Sequence, residues 1–151
     1  MATRHANAWA ELVEDAGVRR VAPWSTAFCW IGAAVDAFAA IALLSPGLSQ
    51  RLLGVSDLPV TPALTYAMRT AASLMLGWTC LLVWASFRPV ERRAVILLTL
   101  VPVVAGLVVT ELLAVRAGFV QLTSVAPLLG MQAFLVVLGA WSYHHDRRAL
   151  A

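Results

Sequence analysis

The sequence predicts an all-α integral membrane protein, a bundle of four transmembrane helices with both termini on the cytoplasmic side. Three observations carry this reading. Four apolar stretches each approach the ~20 residues that a helix needs to cross ~30 Å of hydrocarbon. The whole chain of 151 residues is 61% hydrophobic and only 13% charged, whereas a soluble domain carries about 25% charged residues. No stretch alternates with a period of two, which excludes a β-barrel.

The elements follow in order. The first helix is expected from about Trp24 to Leu44, opened by Pro23 and closed by Ser45-Pro46-Gly47. The second runs from about Ala63 to Ser86, with Pro62 at its start and Arg88-Pro89 beyond its end. The third spans about Ala94 to Val115 and the fourth about Ser124 to Tyr143. Proline at a helix start and Pro or Gly just past its end are favoured because these residues fit the terminal backbone and cannot extend the helix. Between the first two spans, Leu48, Leu52, Leu53 and Val55 predict a short helix lying on the membrane. Residues 1–22 form a polar lead with Glu11, Glu14 and Asp15; they read as a cytoplasmic segment with interfacial character rather than a signal peptide. The chain is expected to be one membrane domain.

Arginine sets the orientation. All 11 basic residues are arginine. Arg4, Arg19, Arg20, Arg88, Arg92, Arg93, Arg147 and Arg148 fall on one side of a four-span chain, and Arg51 and Arg116 on the other. Short arginine-rich loops stay in the cytoplasm, so the expected location is a multi-pass protein of a bacterial inner membrane. Trp24, Trp84, Trp141 and Tyr143 fall near the arginine-rich helix ends, where amphipathic rings suit the interface. The net charge of +3 is small, and the arginines cluster by position rather than forming a nucleic-acid stripe. Cys29 and Cys80 sit in apolar runs without metal-ligand spacing, and no cofactor motif or phosphate loop occurs.

Function is sought among the polar residues inside the spans. An ionisable group in hydrocarbon costs ~2.5–3.5 kcal/mol on insertion scales and usually faces the bundle interior. Asp36, Arg69 and Glu111 stand in the first three helices, and Gln132 in the fourth. At ~1.5 Å per residue from the outer helix ends, Asp36 and Gln132 lie about 12 Å deep, Arg69 about 10 Å and Glu111 about 5 Å. One polar group from each helix is thus expected in a shared layer of the outer half, with Arg69 neutralising a carboxylate. Gly32 and Ala40 share the Asp36 face, and Ser73, Gly77 and Cys80 share that of Arg69; small residues there let helices approach closely. Pro102 and Gly106 should bend the third span or free backbone groups below Glu111.

A carboxylate, a guanidinium and a second acid suffice for general acid–base chemistry. Asp36, Glu111 and Arg69 are therefore the candidate catalytic residues, with Asp36 the proton-exchanging group, and Gln132, Tyr66, Ser73 and Thr110 the candidate ligand-binding residues. No metal is called for. The expected partner is a hydrophobic small molecule or lipid, turned over by isomerase- or cyclase-type chemistry. The competing readings are a proton-coupled carrier working as a homodimer, an accessory membrane subunit, and a purely structural ion-pair network. Trp30 and Trp78 read as packing or lipid-facing residues.

The stretch from Asp36 through Ser45-Pro46-Gly47, Arg51-Leu52-Leu53-Gly54, Tyr66 to Arg69 and Leu76-Gly77-Trp78 resembles the first hairpin of small bacterial four-helix membrane proteins around the DoxX group. The resemblance covers roughly the first 85 residues; it implies a fold and a location and carries no catalytic residue. A more distant architectural likeness is to the sterol-isomerase and sigma-2-receptor superfamily, in which intramembrane carboxylates bind sterols or amines. Asp36, Pro102 and Glu111 are placed loosely like that, with different spacing.

Overall fold

The computed structural model describes residues 23–56 and 59–149, with the side chains of 146–149 outside that description. The interfacial character expected for residues 1–22 lies outside the described residues. Helix α1 is Pro23–Leu44, α2 Pro46–Leu53 and α3 Pro62–Ser86. The third span, Arg93–Arg116, is built from α4 (Arg93–Leu98), a π-helical segment (Thr99–Val104) and α5 (Ala105–Arg116). Helix α6 is Leu122–Ala149. No strand occurs among the described residues, and four helices are long and apolar enough to cross a membrane. The chain is an integral membrane four-helix bundle.

Local chemistry explains the element ends. The Thr61 hydroxyl accepts from the Leu64 N–H at 3.1 Å, and Pro62 occupies the first turn, where its missing N–H costs nothing. Helix α2 opens on Pro46 and ends on Gly54 at φ +67°, a left-handed cap that favours glycine. The Ser124 side chain crowds the place a Gly54 Cβ would take, so the turn rejects larger residues on two counts. The Ser49 hydroxyl donates to the Ala42 carbonyl at 2.6 Å and folds α2 back onto the last turn of α1. Pro102 removes one helical donor from the third span, and the backbone answers by widening: the Ala105 N–H reaches the Leu100 carbonyl, five residues back. Helix α6 continues past the expected end at Tyr143 to Ala149.

The two ends of the bundle are packed differently. At the end that carries Arg88, Arg92 and Arg93, here the basic end, Phe28, Cys29 and Ala33 of α1 meet Leu82 and Ala85 of α3, Val95 and Ile96 of α4, and Leu135 of α6. Close approach there depends on small residues. A Cβ on Gly32 would stand 3.1 Å from Leu82 Cδ1, and one on Gly139 would stand 2.8 Å from Phe28 Cε2 and 2.9 Å from Leu100 Cδ1. The interhelix loop is closed by Arg92, whose guanidinium lies 3.6 Å over the Trp84 ring and donates to the Trp84 carbonyl. Towards the opposite, distal end the bundle opens. Helix α5 has no buried residue, and Val109, Leu112 and Leu113 are all exposed in the monomer.

Candidate functional site

The glycine contacts fix how the helices slide past one another, and this decides which polar residues meet. Phe28 touches Gly139, and α1 and α6 are antiparallel. Asp36 is eight residues distal of Phe28, and Gln132 seven residues distal of Gly139. At ~1.5 Å per residue both lie about 11 Å from that contact, in one layer to within about a turn. Glu111 joins them from α5, accepting a hydrogen bond from Gln132 Nε2 on its Oε1 at 2.8 Å. Gln132 is 6% exposed, which is deep for an amide. The interhelical pair ties the otherwise open α5 to α6.

The layer is rich in acceptors. Asp36 Oδ2, Glu111 Oε2 and Gln132 Oε1 are each buried without a hydrogen-bond partner among the described residues. A buried polar atom without a partner forfeits about 1–3 kcal/mol, so three in one layer are unusual.

Arg69 does not join this group. Gly32 packs on Leu82; Asp36 is four residues distal of the first and Arg69 thirteen residues distal of the second. The difference of nine residues places Arg69 about 13 Å further out. Its side chain is exposed, and the ion pair found among the described residues is Arg88 with Glu91 at 3.3 Å, at the basic end. The expected neutralisation of a carboxylate by Arg69 therefore does not occur. Depth counted from each helix's own end assumes flush ends, whereas α3 is shifted distally along α1 by more than two turns.

The remaining candidates are placed as follows. Tyr66 is 74% exposed on α3. Ser73 is exposed and donates to the Arg69 carbonyl at 3.1 Å; Thr110 is exposed and donates to the Gly106 carbonyl at 2.9 Å. Of the seven residues singled out in the sequence, the structure bonds Glu111 to Gln132, sets Asp36 at about their depth by helix rise, and leaves Arg69, Tyr66, Ser73 and Thr110 exposed. One polar contact had no clear signal in the sequence: the Trp78 indole N–H donates to the buried Thr99 hydroxyl at 3.2 Å. It holds α3 against the π-helical segment. Trp30 is exposed on α1.

What the fold and site define is a multi-pass membrane bundle with a buried acidic layer beneath a loosely packed helix. No protein-family model matches the chain, nor does any curated protein or solved structure.

Proposed function

We propose that the Asp36–Gln132–Glu111 layer is a binding pocket for a hydrophobic small molecule or lipid, and that its two carboxyl groups exchange protons with that molecule. The observation that carries this reading is the set of three buried acceptor atoms without partners. A structural network would be expected to satisfy its own members, since half-satisfied buried polar groups destabilise a fold. Access fits as well: α5 has no buried residue, so an apolar molecule can enter from the acyl-chain region between α5 and its neighbours. Asp36 is the proton-exchanging group in this account, on the Gly32 and Ala40 face of α1, while Gln132 holds Glu111 in place through its amide N–H. Isomerisation or cyclisation of an isoprenoid-like molecule suits a pair of acids in a dry site. The protein acts in the cytoplasmic membrane with both termini inside, as the arginine distribution favours.

The test is native mass spectrometry of protein released from lipid nanodiscs. Wild type should retain a small apolar molecule that Asp36→Asn and Glu111→Gln release. Equal retention by all three proteins, or no retained molecule in any, contradicts the pocket.

A further inference from the structure

The third span is held unevenly along its length. Towards the basic end, Val95 and Ile96 of α4 are buried in the core, and Thr99 is buried at the start of the π-helical segment. The Thr99 hydroxyl donates to the Val95 carbonyl at 2.8 Å and accepts from the Trp78 indole at 3.2 Å. Val104 closes that segment and is buried as well. Beyond α5, Val120 is buried again. The 12 residues between these pins, Ala105–Arg116, include none that is buried. Both ends of this stretch can flex. At one, the segment around Pro102 is wound more widely than the helices it joins, and such interruptions of the hydrogen-bond ladder are where helices bend. At the other, Gly118 turns the chain at φ +70°, and a Cβ there would meet nothing within 4 Å.

Apolar packing gives such a stretch little hold. Lipid tails are as apolar as Val109, Leu112 and Leu113, so pressing these side chains against a helix gains little over leaving them in the bilayer. A polar contact then carries a correspondingly larger share of the attachment. Gln132, only 6% exposed on α6, supplies it by donating from Nε2 to Glu111 Oε1 at 2.8 Å. We propose that α5 is a lateral gate of the bundle, a strap pinned at Val104 and Val120 that moves away from α6 when the Gln132–Glu111 latch opens. The opening exposes the bundle interior to the acyl-chain region while α4, on the other side of the π-helical segment, stays in the core. What passes through the gate rests on the pocket reading above; the movement itself does not.

The movement is measured by double electron–electron resonance on full-length protein in nanodiscs, in a Cys29→Ala/Cys80→Ala background. One spin-label pair joins Val109→Cys, exposed on α5, to Leu74→Cys, exposed on α3. The second joins Leu97→Cys, exposed on α4, to the same Leu74→Cys and reports the pinned side of the hinge. Opening the latch with Gln132→Leu should raise the ratio of displaced to latched distances in the first pair by about three- to tenfold, the worth of one interhelical hydrogen bond. Glu111→Leu removes the acceptor instead of the donor and should give the same shift, so either variant suffices if the other does not fold. The second pair should keep its distribution in both. An unchanged first pair in the latch variants overturns the gate. Equal shifts in both pairs overturn the hinge, because the third span would then move as one body. The measurement uses no ligand, so a rigid α5 refutes the gate and leaves the pocket standing. Failure to retain any molecule in the mass-spectrometric test refutes the pocket and leaves the gate.

Discussion

Gly139→Ala adds one methyl group at the tightest interhelical contact. The new Cβ would lie 2.8 Å from Phe28 Cε2 and 2.9 and 3.0 Å from the two Leu100 methyl carbons. Favourable carbon–carbon separation is about 3.5–4.0 Å, so α6 or both neighbours must give by roughly 0.7 Å. Phe28 is fully buried and its ring cannot swing away, although Leu100 has some freedom. Overpacking of this kind costs about 1–3 kcal/mol. Against it stands the better helix propensity of alanine, about 1 kcal/mol in a helix interior. The net expectation is a loss of up to about 2 kcal/mol. Gly130, on the same helix, supplies the control: a Cβ there meets nothing within 4 Å, so Gly130→Ala should gain up to about 1 kcal/mol. The two variants are compared by thermal unfolding in nanodiscs, and Leu100→Ala in the Gly139→Ala background should recover part of the loss. Equal stability of Gly139→Ala and Gly130→Ala would falsify the register that sets Asp36 level with Gln132.

Three further outcomes follow from the same geometry. Gln132→Leu should cost about 0.5–2 kcal/mol by removing the donor to Glu111; adding Glu111→Leu should restore stability, and a strictly additive double variant contradicts the pair. Arg69→Met should change stability by no more than about 0.5 kcal/mol, because the side chain is exposed and has no ion-pair partner among the described residues; a large loss rescued by Asp36→Asn would instead show a hidden ion pair. In a Cys29→Ala/Cys80→Ala background, Thr123→Cys should react with a membrane-impermeant thiol reagent in intact cells and Phe87→Cys should not. Labelling at Phe87→Cys from outside reverses the orientation.

The residues show why some of this was legible in the sequence and some was not. Helix identity follows from apolar length and from Pro62, Pro46 and Gly54, all local signals. The meeting of Glu111 and Gln132 was legible because each is a costly polar group in an apolar span with one natural class of partner. Arg69 was misplaced because sequence gives depth along a helix and not the sliding between helices, which Gly32 on Leu82 and Phe28 on Gly139 determine. Pro102 announced a disturbance but not its form, since a kink and a π-helical widening both accommodate a missing donor. The Trp78–Thr99 bond was hidden because either residue alone is ordinary in a membrane helix.

The central claim, proton exchange between buried carboxyl groups and an apolar guest, is tested most directly by deuterium incorporation. Protein carrying its retained molecule is incubated in D2O, the molecule is extracted, and carbon-bound deuterium is read by mass spectrometry. The account expects deuterium at carbon with wild type, and at least about a hundredfold slower incorporation with Asp36→Asn or Glu111→Gln, in line with the usual contribution of a positioned acid or base. Equal incorporation by wild type and both variants, or none with any of them while the molecule is held, would contradict acid–base chemistry at this site.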